Sequence, residues 1–272
     1  MTANATFNVK PHIHHVVQES HDTSHPMRTV VLSHALGCDL SMWDALAERL
    51  AQGWRVVRFD HRGHGASQST AGPCTMADLA EDALRVLDAV AVAVEPVVWI
   101  GLSMGGMVGQ ELAIRYPDRV SALVIANSTS CYSSAAVAMW KQRIEAVQQG
   151  GTVAIADAVM ERYFHVGFRD AAPTTVAKFR ARLVATDAAG YVACCHAIAG
   201  VDTTSRLRQV QMPALVIAGE LDQGTPLAMA ETLAAALPRA RLKVLRDASH
   251  LSVVEQPVAF AAAVESFLGT LP

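Results

Sequence analysis

Short apolar runs rich in β-branched residues recur along the chain at 29–33, 54–59, 96–100, 122–126, 214–218 and 242–245. Runs of this length and composition read as strands. Between them lie stretches with apolar residues at helical spacing, at 42–52, 76–90, 104–116, 227–237 and 258–268. The alternation predicts a mostly parallel sheet with helices on both faces, because parallel neighbours need a crossover connection. It stops between Ser128 and Asp202, where only helical patterns follow one another, at 135–149, 153–163, 175–185 and 191–199. Gly150-Gly151, Pro173 and Gly190 punctuate them. The expected organisation is an α/β core domain made of 1–127 and 203–272, with a helical cap, 128–202, inserted into it.

Composition narrows the class without naming a chemistry. With 51% hydrophobic and 17% charged residues among 272, the chain can bury a sizeable core. The net charge of −3 and the dispersed Lys and Arg offer no basic field for a nucleic-acid backbone. Residues 1–18 carry polar residues and three histidines where a signal peptide needs a continuous apolar stretch. The apolar neighbourhood 86–100 is broken by Asp88, Glu95 and Pro96, short of the roughly 20 residues that span a bilayer. Five irregularly spaced cysteines suit free thiols. A soluble, cytoplasmic protein acting on a small molecule, with no nucleic-acid or membrane partner, is the expectation.

The chemistry gathers at the ends of the predicted strands. Gly101-Leu102-Ser103-Met104-Gly105-Gly106 follows one strand and opens a helix, the context of a nucleophile elbow. Small residues allow the sharp turn that lifts the serine hydroxyl above the sheet, and the Met104 N–H then faces a developing oxyanion. A serine alcohol needs a base oriented by a carboxylate. Asp222 closes Gly219-Glu220-Leu221-Asp222 after one later strand, with Glu220 as the competing acid, and His250 follows the next. The order serine, acid, histidine is that of α/β-hydrolases. By position after the 29–33 strand, Leu36 supplies the second oxyanion N–H. The glycine-rich turn 60–67 reads as structural, braced by Asp60 and Arg62.

Four segments together resemble the 3-oxoadipate enol-lactonases: Leu36-Gly37-Cys38-Asp39-Leu40-Ser41-Met42-Trp43, Arg62-Gly63-His64-Gly65-Ala66-Ser67, the serine motif, and His250-Leu251-Ser252-Val253-Val254-Glu255-Gln256. In the expected cap, Trp140-Lys141-Gln142-Arg143-Ile144-Glu145 and Gly190-Tyr191-Val192-Ala193-Cys194-Cys195 are similar to the same family. His34-Ala35 and His61 stand where the family usually has Asn-Ser and Thr. The resemblance, over roughly 29–268, implies hydrolysis of a five-membered enol-lactone bearing a free carboxylate, a step in aromatic-compound breakdown that uses neither metal nor organic cofactor. A general carboxylesterase, another lactonase, or a slow-turnover receptor on the same fold are the alternatives.

Trp140 and Arg143 are the candidate substrate-binding residues. At 100° per residue, Ala136, Val137, Met139, Trp140, Ile144 and Val147 form one apolar arc, and Arg143 falls inside it. A guanidinium so placed fits a substrate carboxylate. Otherwise it reaches water along its stem, or pairs with Asp157 or Glu161 of the next helix. His12, His14, His15, His21 and His25, and likewise His61 and His64, read as something other than a metal site, since no tightly spaced acid or cysteine ligand accompanies them. Cys38 reads as a packing residue rather than a nucleophile.

Overall fold

The computed structural model describes residues 10–22, 28–90 and 95–272. His25 lies outside them. Seven strands form one sheet: β1 (His15–Gln18), β2 (Thr29–Ser33), β3 (Arg55–Phe59), β4 (Val97–Leu102), β5 (Val120–Ala126), β6 (Ala214–Gly219) and β7 (Ala240–Leu245). Their spatial order is β1-β3-β2-β4-β5-β6-β7. β1 runs antiparallel to β3 and all other pairs are parallel. The six runs expected from the apolar pattern are thus all strands. β4 and β6 are buried at every position, as helices on both faces require. The outer strand β7 instead exposes Arg241, Leu242 and Lys243, and the charged pair blunts that edge.

The helices are α1 (Asp44–Leu50), α2 (Met76–Ala89), α3 (Met104–Arg115), α4 (Ser134–Gly150), α5 (Ala156–Tyr163), α6 (Val166–Ala171), α7 (Pro173–Ala185), α8 (Ala188–Ala199), α9 (Leu227–Ala236), α10 (Ser252–Glu255) and α11 (Pro257–Leu268). Between β5 and β6 the chain is helical, with α4 to α8 in succession. Two stretches expected as single helices begin as 3₁₀ turns, Leu40–Trp43 before α1 and Thr152–Ile155 before α5. In the first, Asp39 caps the turn by accepting from the Ser41 N–H at 3.0 Å. The short α6 was not expected. Six residues give too few turns for a period to show, and its start is set by the His165 side chain, which accepts from the Phe168 N–H. β1 starts only at His15, and His14, just before it, turns its Nδ1 to Asp60 at 2.8 Å.

The strand order fixes where a ligand can sit. From β2 the chain winds to β3 on one side and then to β4 on the other, so the loops leaving β2 and β4 part company between two adjacent strands. Such a crevice at the C-terminal ends of parallel strands is where ligands bind in open sheets. In register, Ser33 lies opposite Gly101, which carries the β2 loop past residues 102–104. The start of α3 presses against the end of β2. A Cβ on Gly105 would lie 2.0 Å from the Ser33 carbonyl oxygen, and one on Gly101 would lie 2.1 Å from that of Gly105.

Alanine is favoured over glycine inside a helix by about 1 kcal/mol. We nevertheless expect Gly105→Ala to cost about 3 kcal/mol in urea unfolding, because backbone on both sides would have to part. Gly53→Ala, with no atom within 4 Å of the added carbon, should stay within about 1 kcal/mol of wild type. Equal effects would show that the contact between α3 and β2 gives way freely.

Candidate active site

Ser103 stands between β4 and α3 with φ 54° and ψ −113°, a strained conformation for a residue with a Cβ. Neighbouring chain holds it there. Its N–H donates to the Ala126 carbonyl at 2.8 Å, and its own carbonyl accepts from the Ser128 hydroxyl at 2.8 Å. Met104 is the first residue of α3, so its N–H has no acceptor within the helix. Leu36 is buried in the β2 loop, and its N–H meets no backbone carbonyl among the described residues. The Leu36 carbonyl faces the other way and accepts from the Tyr163 hydroxyl at the end of α5.

Asp222 and His250 come together across 28 residues of sequence, His250 Nδ1 lying 2.9 Å from Asp222 Oδ2. Because an ionised carboxylate only accepts, Nδ1 carries the proton and Nε2 is left as the acceptor. Asp222 also accepts from the N–H groups of Gly224 (2.7 Å) and Thr225 (3.0 Å), the Thr225 hydroxyl (2.7 Å) and the Asn127 amide (2.9 Å). Burial works to raise the carboxyl pKa, but His250 and these donors hold it down to about 2. Glu220 takes no part, accepting instead from the Asp247 N–H at 3.2 Å. Tyr163 stacks on the His250 ring, centroids 5.3 Å apart.

Ser103 and Asp222 are tied to one point. Asn127, with φ 46° just past β5, donates to Asp222 and to the Ser249 carbonyl at 3.0 Å, while its oxygen accepts from Ser252 at 2.5 Å. The next residue, Ser128, holds Ser103. The apolar run at 122–126 predicted the strand, but an asparagine after it reads as an ordinary turn residue. Its role became visible only through partners about a hundred residues away.

A cleft of about 440 Å³ opens beside the turn that follows Asp222, with Tyr132, Trp140, Arg143, Arg162, Gln223 and Gly224 in its wall. Ala136, Met139 and Trp140 of the expected apolar arc face this cleft, whereas Ile144 and Val147 are buried. The Arg143 guanidinium lies over the Trp140 ring at 4.7 Å. It reaches neither Asp157, which pairs with Arg180, nor Glu161. Arg162 was not singled out from the sequence, where it is one charge among several on a short helix.

A sequence profile described as the alpha/beta hydrolase fold matches residues 28–257. Over 239 residues, 88% of each protein, the chain is 36% identical to 3-oxoadipate enol-lactonase 2 of Acinetobacter baylyi. The chain belongs to the 3-oxoadipate enol-lactonase family of the α/β-hydrolases. The crystal structure of the enol-lactonase from Burkholderia xenovorans LB400 superposes with a TM-score of 0.88 at 35% identity, covering 94% of this chain and 96% of that one. A thermophilic esterase from Thermogutta terrifontis, solved with malate bound, gives 0.88 at 27% identity, over 95% and 93% of the two chains. This enol-lactonase family member is accordingly a carboxylic ester hydrolase, and its substrates are small esters or lactones. No helix among its described residues is long and apolar enough to cross a membrane.

The glycine-rich turn is braced as its sequence suggested. Arg62 donates to buried Asp82 at 2.5 Å, and Asp60 accepts from the N–H groups of Leu40 (2.8 Å) and Ala66 (3.0 Å). The two places where this chain departs from its family's usual residues prove to be one feature. The His34 Nε2 accepts from the His61 N–H at 2.9 Å, and the rings meet edge to face at 4.7 Å. His64 adds a third ring 5.4 Å from His34, and its Nε2 accepts from the Gly37 N–H at 3.0 Å. All three are buried beneath the Leu36 loop. Cys38 is buried beside them, and burial pushes its thiol far above the ordinary range, as suits a packing residue.

Burial lowers the pKa of His34, that of His61 further with the help of His34, and that of His64 to about 3. In the unfolded chain each titrates near 6.5. Below that pH the unfolded state takes up protons that the folded state refuses, so stability falls with pH, by up to about 1.4 kcal/mol per unit for each histidine. The denaturation midpoint should therefore drop steeply from pH 7 to pH 5. A flat profile over that window would mean that the cluster accepts protons in place.

Proposed function

We propose that this protein opens 3-oxoadipate enol-lactone, or a close five-membered enol-lactone bearing a carboxylate, by acyl transfer through Ser103, His250 and Asp222. The observation that carries the reading is the 2.9 Å bond between His250 and a fully hydrogen-bonded Asp222, in a chain whose serine elbow is held by the residue next to Asn127. His250 takes the Ser103 proton as Oγ attacks the lactone carbonyl, and the N–H groups of Leu36 and Met104 receive the oxyanion. Collapse breaks the ring C–O bond, and His250 returns the proton to the leaving enol oxygen. The enol becomes the ketone. Water, deprotonated by His250, then attacks the acyl-enzyme and frees Ser103 and a new carboxylate. No step needs a metal or organic cofactor.

In this reading 128–202 is a cap set on a core of 1–127 and 203–272, and it supplies the side chains that choose the substrate. Trp140 offers an apolar wall and Arg143 a guanidinium for the substrate's carboxylate. The five free cysteines, four of them buried, suit a reducing cytoplasm. A slow-turnover receptor would show a burst of one product equivalent and then almost none. Sustained steady-state turnover of the enol-lactone would decide against it.

Ser103→Ala should lower kcat by more than about a thousandfold with the fold intact. Asp222→Asn should cost far more than Glu220→Gln. Activity of the serine variant within about tenfold of wild type, or equal losses for the two acids, would reassign the machinery.

Arg143→Met removes the charge and keeps the volume. We expect kcat/KM on the carboxylate-bearing lactone to fall by about ten- to a thousandfold, with a much smaller change on a neutral p-nitrophenyl ester. If both substrates lose equally, Arg143 is structural and the carboxylate is read elsewhere.

A further inference from the structure

Arg162 lines the same cleft as Arg143, and no aspartate or glutamate stands in that wall. Among the described residues the Arg162 guanidinium makes no hydrogen bond and no ion pair, although the chain has acids to spare for most of its other half-buried arginines. A half-buried guanidinium carries five donors, and leaving them without acceptors is costly. The side chain also stands next to the expected reacting groups. A Cβ placed on Gly224 would lie 3.5 Å from Arg162 Cδ, 3.3 Å from His250 Nδ1 and 3.2 Å from Asp222 Oδ1.

We propose that Arg162 binds the carboxylate created when the lactone opens, so that Arg143 and Arg162 together form a dicarboxylate site. The proposal rests on the lactonase reading and extends it to the product. A lactone with one side-chain carboxylate enters as a monoanion. Addition of water across the acyl C–O bond, with loss of one proton, yields a dianion. The first charge belongs on Arg143, at the Trp140 wall. The second arises at the carbonyl attacked by Ser103, on the side of the cleft where Arg162 approaches His250. Burial, and after it the nearby Arg143 guanidinium, lowers the Arg162 pKa, and the repulsion between the two cations is relieved most by a ligand with two negative ends. A monoanion leaves one guanidinium bare.

Calorimetric titration of the intact protein with adipate and with hexanoate tests this, since both have six carbons, neither reacts, and they differ by one carboxylate. Wild type should bind adipate at least about tenfold more tightly than hexanoate. Arg162→Met should erase most of that preference, and Arg162→Lys should keep part of it. With the enol-lactone as substrate, adipate should inhibit wild type competitively and the Met variant about tenfold less well. Thermal melts of each variant establish that the fold is retained. Equal binding of the two acids by wild type, an undiminished preference in Arg162→Met, or no adipate binding at all would overturn the proposal. A preference for adipate that depends on Arg162, in a protein that leaves the enol-lactone intact, would keep the dicarboxylate site and discard the lactonase reading.

Discussion

An ionised carboxylate sealed beneath the end of a parallel sheet is tolerable only if every lone pair is met, because in a low dielectric a partly satisfied network is worse than an apolar one. Asp222 meets that condition with donors from three parts of the chain: its own turn, the end of β5, and the imidazole of His250. The rest of the site follows from it. The turn 222–225 is wound around the carboxylate, and Asn127 adopts a left-handed backbone to bring its amide there. His250 keeps one tautomer because the acid leaves no choice. Removing any one donor would not merely weaken a contact. It would move a buried charge into a site built for all five.

The sheet order does the remaining positioning. By splitting the β2 and β4 loops at a switch point, it opens a crevice beside the turn that carries Ser103, with no side chain spent on the task. The positive charges come from elsewhere, from α4 and α5 of the helical insertion. The strand-end turns and the positive side chains of the cleft therefore come from different parts of the chain. This division explains how one fold accommodates esterases and lactonases alike.

Most of the sheet was legible because its strands are buried on both faces, and burial writes itself as continuous apolar runs. The one strand without such a run is β1, a four-residue edge strand paired on one side only. The positions of Ser103, Asp222 and His250 just past their strands, and the pairing of the last two, were legible as well, since each follows a strand at a fixed offset in a fixed order. Tyr163 and Asn127 were not. A tyrosine at the end of a helix and an asparagine after a strand are ordinary there, and their importance lies in partners 127 and 95 residues away. Arg162 escaped for a different reason: what marks it is that, among the described residues, no acid pairs with its guanidinium, and an absence in space leaves no trace in a linear pattern. The histidine cluster was half visible. Its members stood out as departures from the family, but only the packing shows that His34 and His61 are one substitution made in two places.

Tyr163 has a consequence for how the insertion can vary. Its ring lies against His250, its hydroxyl holds the Leu36 carbonyl, and its own carbonyl accepts from the Leu251 N–H at 3.1 Å. Two residues on, the His165 N–H donates to Glu255 at 2.8 Å, and Glu255 in turn accepts from the Ser249 N–H. The insertion is thus pinned at the stretch from Tyr163 to His165, while among the described residues α4, with Trp140 and Arg143, has no such hydrogen bond to the loops of Asp222 and His250. Recombination between relatives meets a seam there. A graft that replaces α4 alone exchanges Trp140 and Arg143 and leaves these bonds standing, whereas one that runs through Tyr163 carries away part of the wall that keeps His250 and the Leu36 loop in place. The wall of the cleft thus has an open route to variation through the first helix of the insertion and a closed one through the end of the second.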